Sequence, residues 1–297
     1  MMPDLAVVIL TKNEEHHIAR CIGSIRGLAR EIIVVDSFST DKTVEIAKSL
    51  GAHVKEHAFK NYADQFSWAL DHGGLTATWV MRMDADEAVD PELAQSIGQA
   101  LTHAPDDVSG YEVPLLEHFF GRPILHGGRA GMPLLRIWRH GVGKIEQRWM
   151  DEHIVLSRGK TMQLKGYLLH RNDKPLTEWI AKHNSYSNRE AVDVLNAKYH
   201  FFGGVEDSRR RKKTGLQRKL YYAVGGGVAP LLYFLYRYVV RGGFLDGQEG
   251  YFYHFFQGYW YRTLVAAKIA ELERQLEGCV DNPARLATIR AHTGLQI

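Results

Sequence analysis

The sequence predicts an α/β protein, with a mostly parallel central sheet flanked by helices and then a helical, aromatic-rich C-terminal region. Three observations carry that prediction. Short aliphatic runs recur through the first hundred residues, separated by stretches of helical period. The three strongest runs each stop at polar residues. Beyond residue 200 the strand pattern ends and the chain turns basic and aromatic.

Leu5–Leu10 (LAVVIL) is continuously aliphatic, as a strand buried on both faces requires. Glu14–Leu28 places Ile18, Cys21, Ile22 and Ile25 on one helical face, so Cys21 reads as a core position. Glu31–Val35 (EIIVV) is a second buried strand, ending at Asp36. A helix through Val44, Ile46, Ala47 and Leu50 follows, with Ser39 or Thr40 as expected N-cap. A short strand around Ala52–Glu56 and a helix from Asn61 to Leu70 lead to a third buried strand, Trp79–Met83, which ends on Asp84. This alternation implies parallel strands joined by right-handed crossovers. Short strands at Tyr111–Leu115, Leu134–Trp138 and Thr161–Leu169 extend the sheet, and Leu176–Tyr199 has helical period. The expected organisation is one domain over residues 1–200 and a second region over 201–297.

Composition narrows the function classes. With 45% hydrophobic residues in 297, the chain is neither disordered nor fibrous. Two cysteines, Cys21 and Cys279, exclude a disulfide framework and a four-cysteine zinc site. The N-terminus lacks the basic, apolar, small-residue order of a signal peptide, so a reducing, cytosolic setting is expected. The net charge of +3 hides a split: residues 1–200 carry 23 Lys/Arg against 26 Asp/Glu, and residues 201–297 carry 14 against 8.

In an open parallel α/β sheet, ligands bind beyond the carboxyl ends of the strands. Here those ends carry Thr11–Glu14, Asp36–Asp41 and Asp84–Glu87. Asp84 and Asp86, one residue apart after a buried strand, form a pair suited to one hard cation or to a ribose. A cation held by so few carboxylates completes its shell with water and substrate phosphates, the usual habit of Mg²⁺.

The segments VVILTKNEE (Val7–Glu15), VVDSFSTDKT (Val34–Thr43) and RMDADE (Arg82–Glu87) resemble the motif series of glycosyltransferase family 2, inverting enzymes of the GT-A (Rossmann-like) fold. Within it the chain is most similar to bacterial lipopolysaccharide-core and surface-polysaccharide glucosyltransferases. The motif-bearing resemblance covers roughly residues 5–190, with a weaker likeness to Gly242–Gly247. It implies a nucleotide-sugar donor, UDP-linked and carrying glucose, a lipid-linked glycan acceptor, and Mg²⁺ or Mn²⁺ as cofactor. Thr11, Asn13 and Glu14 would contact the uridine, and Asp36 the uracil or ribose. Asp84 would sit by the ribose or the metal, Asp86 would bind the ion on the diphosphate, and His170 would complete the metal or phosphate shell. The helix Asn61–Leu70 departs from the commonest family pattern, which often has a basic residue there, leaving Asp64 and Gln65 without an assigned role.

An inverting transferase needs a base for the acceptor hydroxyl. Trp149–His153 (WMDEH) resembles the family's acceptor-side segment, which makes Glu152 the expected base and Asp151 the reserve. Arg129, Arg136 and Arg148 are candidates to hold diphosphate or acceptor anions.

Arg209–Lys219 has seven basic residues in eleven, Leu220–Tyr236 is uncharged, and Tyr251–Tyr261 has eight aromatics in eleven. No nucleic-acid recognition motif adjoins the basic run, so nucleic acid is not an expected partner. The uncharged run is too short and too broken by glycine and proline to span a bilayer, which takes about 20 apolar residues. The pattern instead suits interfacial contact with the anionic cytoplasmic leaflet of the inner membrane. Two competing classes are a sugar-nucleotide pyrophosphorylase and a non-catalytic, membrane-docked subunit. The first normally shows a glycine-rich basic loop where this chain has TKNEEHH, and intact Asp84, Asp86 and Glu152 argue against the second.

Overall fold

The aliphatic run opens the first strand, β1 (Leu5–Thr11), in a computed structural model that describes residues 2–146, 153–201 and 227–295. Side chains alternate across a strand, so β1 feeds two cores. Leu5, Val7 and Ile9 pack with Ile18, Cys21, Ile22 and Ile25 of helix α1 (Ile18–Ile25). Val8 packs on the opposite face with Ala63, Phe66 and Ala69 of α3 (Tyr62–His72). Burying each such aliphatic side chain is worth about 1.5–3 kcal/mol, and this two-sided burial keeps the central strands in register.

The described residues divide into two compact units, the first built from residues 2–125, 129–146 and 153–174 and the second from 126–128, 175–201 and 227–295. The helix α5 (Leu176–Tyr199) therefore groups with the second unit.

The first unit also holds β2 (Glu31–Asp36), α2 (Thr43–Ser49), β3 (His53–Glu56), β4 (Trp79–Asp84), β5 (Glu87–Val89) and α4 (Pro91–Thr102). It continues through β6 (Val108–Phe119), β7 (Arg122–Pro123), β8 (Met132–Arg139), β9 (Gly143–Ile145), β10 (Ile154–Leu156), β11 (Lys160–Gln163) and β12 (Leu168–Arg171). The main sheet runs β3-β2-β1-β4-β8-β6-β12-β5. Strands β3, β2, β1 and β4 are parallel, β8 runs antiparallel to both neighbours, and β12 is parallel to β6. This is the mostly parallel sheet that the sequence predicts, with helices on both faces. One local expectation is corrected. Lys42, not Ser39 or Thr40, sits at the N-cap of α2, because both hydroxyl residues are used in the loop after β2. The helix α4 follows β5 directly, capped by the Asp90 side chain on the Leu93 amide with Pro91 in the first turn.

In the second unit, α6 (Val228–Leu235) runs on as a π-helical segment Tyr236–Val240, and a short 3₁₀ turn spans Gly243–Asp246. Then come α7 (Gly247–His254), a second π segment (Phe255–Trp260), α8 (Tyr261–Leu276) and α9 (Asn282–Thr293). Ala191, Val192 and Leu195 of α5 share a core with Val265, Ile269, Leu272 and Leu276 of α8 and Ile289 of α9. His254 is fully buried, and a Cβ at Gly127 would fall 2.1 Å from its ring, so only glycine fits that left-handed position. Burial and the neighbouring Arg237 push the His254 imidazole down to about 4. Among the described residues no helix is long and apolar enough to cross a membrane.

Candidate active site

The register of the sheet brings the three polar strand ends together. Thr11 pairs with Asp36, and Leu10 with Asp84, so Thr11, Asp36 and Asp84 stand side by side at the carboxyl edge of β1, β2 and β4. Parallel pairing without a bulge makes this arrangement follow from strand length alone.

The loops after β1 and β2 are laced to each other. Asp36 accepts from the Ser39 amide at 2.7 Å and the Ser39 hydroxyl at 2.5 Å, and Ser39 Oγ in turn accepts from the Asn13 amide at 2.7 Å. Asn13 Oδ1 accepts from the Thr40 amide at 2.8 Å. Asn13 and Phe38 both hold positive φ, 54° and 57°, a strained state that such over-determined loops sustain. The Thr11 hydroxyl is buried and has no partner among the described residues. Gln65 of α3 donates to Ser37 Oγ at 2.9 Å while its own carbonyl oxygen is buried and likewise unpartnered. Asp64 pairs with His57 at 3.1 Å.

Glu14 is already engaged within the protein. The Asp173 amide donates to His17 Nε2 at 2.9 Å, which makes Nδ1 the protonated nitrogen, and Nδ1 donates to Glu14 at 2.6 Å. Lys174 donates to the same carboxylate at 2.8 Å and to the Asn13 carbonyl at 2.7 Å. The segment after β12 is thereby tied to the loop after β1.

Asp84 sits among cations and a phenol. Tyr62 donates its hydroxyl to Asp84, and Arg82 donates to Tyr62 at 2.8 Å with its guanidinium 4.1 Å from the ring centroid. Arg136 of β8 reaches Glu87 at 2.5 Å and Asp84 at 3.7 Å. Burial disfavours charge on Asp84, but Arg136 and Arg82 outweigh it and hold the carboxyl below its usual range. Burial pushes Glu87 up to about 7, with Arg136 pulling against it and Asp84 adding to the rise. The Arg136 Nε and Nη1 atoms are buried without a partner among the described residues, leaving donors for an anionic ligand.

Asp86 faces His170, with Oδ2 3.2 Å from Nε2, and His170 Nδ1 lies 2.5 Å from Glu117. Parallel pairing of β12 with β6 aligns His170 with Glu117, and antiparallel pairing with β5 aligns it with Glu87. Burial lowers the His170 pKa, but Glu117 and Asp86 together raise it well above the usual imidazole range. Among the described residues no group of three or more His, Cys, Asp or Glu side chains forms a complete metal cage. The donor chemistry fits a hard divalent ion taking Asp86 and His170 from the protein and its other ligands from phosphate and water. Glu117 would then orient the histidine from behind, as carboxylates commonly do for metal-bound imidazoles.

The structure thus gathers Thr11, Asn13, Glu14, Asp36, Asp84, Asp86 and His170 at one sheet edge, and adds Tyr62, Glu87, Glu117 and Lys174. Arg129 lies close enough to Glu117 to help hold its carboxyl low. Asp151, Glu152 and Arg148 lie outside the described residues. Tyr62, Glu117 and Lys174 come from distant segments, whereas Glu87 belongs to the Asp84–Glu87 strand end itself. The strand expected over Tyr111–Leu115 stops short of Glu117, which stands near the end of the longer observed strand β6.

The chain is similar in sequence to several glycosyltransferases. An uncharacterized glycosyltransferase of Rickettsia prowazekii is 32% identical over 208 residues, 65% of this chain and 69% of that protein. The lipopolysaccharide core biosynthesis glycosyltransferase LpsC of Rhizobium meliloti is 27% identical over 271 residues, 89% of this chain and 91% of that protein. Crystalline glucosyl-3-phosphoglycerate synthase from Mycobacterium tuberculosis, in complex with Mn²⁺, uridine diphosphate and glucosyl-3-phosphoglycerate, is 23% identical at a TM-score of 0.33. That match covers 39% of this chain and less than half, 44%, of the synthase. The family model described as "Glycosyl transferase family 2" matches residues 6–154, half of the sequence, and the chain belongs to that family.

Proposed function

We propose that this glycosyltransferase is an inverting, divalent-metal-dependent hexosyltransferase. In this reading it moves glucose from a UDP-linked donor to a lipid-linked glycan in lipopolysaccharide or envelope-polysaccharide synthesis, at the cytoplasmic face of the inner membrane. The observation that carries the reading is the row Thr11–Asp36–Asp84 at the strand ends, with the Asp86–His170 pair beyond it. Similarity to LpsC over most of both chains supports a lipopolysaccharide-type acceptor.

The chain's residues divide the work. The unpartnered Thr11 hydroxyl and the Asn13 loop face the nucleoside, while Asp36 keeps that loop in shape through Ser39. Glu14 acts chiefly by locking the loop to Lys174 and His17. Asp84, kept ionised by Arg136 and Arg82, is set for the ribose or the metal, and Arg136 presents free N–H groups to an anion. Asp86 and His170 hold the divalent ion, which when bound neutralises charge developing on the departing diphosphate. Glu152, with Asp151 in reserve, takes the proton from the acceptor hydroxyl as it attacks in line.

Because Glu117 orients His170, Glu117→Gln is expected to raise the Mn²⁺ concentration for half-maximal activity about 10- to 100-fold. Saturating Mn²⁺ should restore most of the turnover. An unchanged metal requirement would leave Glu117 a purely structural partner. The donor assignment is tested by thermal shift across nucleotide sugars with and without Mn²⁺. A true donor at a hundredfold excess over Kd stabilises the folded chain by about 2.7 kcal/mol. UDP-glucose is expected to raise Tm only when Mn²⁺ is present. A shift with another nucleotide sugar reassigns the donor, and no shift with any of them overturns the nucleotide-sugar reading.

A further inference from the structure

The helix α6 and its π-helical continuation are built with their polarity reversed. Thirteen residues, Val228 to Val240, form one continuous rod. Val228, Leu231, Leu232, Leu235, Tyr236, Val239 and Val240 recur at three- and four-residue spacing and so share one face. That face is exposed, from 41% at Leu235 to 72% at Val240. The charged residue turns the other way: Arg237 is only 3% exposed, donates to the Gly127 carbonyl at 3.3 Å and lies over the rings of Tyr233 and Tyr253. After the left-handed turn at Gly242, Phe244 and Leu245 are again outward, half exposed.

A water-facing helix hides its aliphatics and shows its arginine, and soluble chains seldom expose an apolar patch of this extent. Aliphatics outward with the charge inward is the arrangement that hydrocarbon selects. The rod is about 20 Å long, short of the roughly 30 Å of a bilayer core, so it suits the plane of the interface rather than a crossing. Charge decides between lipid and a second copy as the occupant. Residues 201–297 carry 14 Lys/Arg against 8 Asp/Glu, seven of the basic residues lie in Arg209–Lys219 just ahead of α6 in sequence, and Arg241 is exposed at its end. Two copies would bring like charges together, whereas an anionic headgroup layer opposes them.

We propose that the aliphatic face of Val228–Val240, with Phe244 and Leu245, enters the acyl boundary of one leaflet of an anionic bilayer. This deepens the reading of a membrane-borne acceptor and rests on it. The test is cosedimentation of the full chain with vesicles of phosphatidylethanolamine and phosphatidylglycerol, and with vesicles of phosphatidylcholine alone. The wild type should prefer the anionic vesicles, and the double variant Leu232→Glu, Val239→Glu should lower partitioning into them about tenfold or more. The pair Phe244→Ser, Leu245→Ser, placed on the turn, should weaken binding independently of the helix. Binding unchanged in both variants overturns the proposal. So does a concentration-dependent dimer, seen by light scattering, that the variants dissociate without affecting vesicle binding. Thermal shift by UDP with Mn²⁺ is read on the same samples: it should persist in both variants, and its absence from the wild type would count against the nucleotide site and leave the vesicle result standing.

Discussion

Asp86→Ala is expected to lower kcat/KM for sugar transfer by about 10³-fold or more, at nearly unchanged thermal stability. The leaving group of the reaction is a nucleoside diphosphate, whose charge grows as the glycosidic bond breaks. Stabilising that charge with a bound divalent ion is worth several kcal/mol, and about 4 kcal/mol corresponds to three decades of rate. Asp86 is a clean probe because its partner, His170, keeps a second carboxylate in Glu117. Asp84 is not. Its carboxylate accepts from Tyr62 and lies near Arg82 and the buried Arg136, so its removal leaves a buried cation undercompensated and confounds activity with folding. EDTA should reproduce the Asp86 phenotype in the wild type, and Mn²⁺ or Mg²⁺ should reverse it. Full activity in EDTA would contradict metal dependence.

Glu152→Gln is expected to reduce turnover about 10²- to 10⁴-fold while donor affinity stays at the wild-type value. The amide is nearly isosteric with the carboxyl group but cannot take the acceptor's proton. The groups proposed to hold the donor sit at the ends of β1, β2 and β4, so the donor KM should not move. Asp151→Asn is the comparator. A large loss in Asp151→Asn with a mild one in Glu152→Gln would transfer the role of base to Asp151, and a small effect in both would move it outside this segment.

What could be read from the residues was local and periodic. The aliphatic runs at β1, β2 and β4 announced buried parallel strands, and their polar ends announced the site, because adjacent parallel strands bring their ends into line. The contacts that tune the site were not legible, since they depend on pairings across the chain. Glu117 meets His170 only because β12 runs parallel to β6, 53 residues apart in sequence. Lys174 reaches Glu14 across 160 residues, and Arg136 arrives on an antiparallel strand. Ser39 and Thr40 have the chemistry of helix caps, but the loop after β2 uses them to brace Asp36 and Asn13 instead. In α6 the residues showed only an uncharged run, since which way a helix turns its aliphatics depends on what packs behind it, and the structure turns them outward.

The central claim is that the strand-end cluster is a metal–nucleotide site. Calorimetric titration of UDP into wild-type protein and Asp86→Ala, each with and without Mn²⁺, tests it most directly. The account predicts binding to the wild type that requires Mn²⁺ and is lost in the variant. Equal UDP affinity in all four titrations, or none in any, would contradict it.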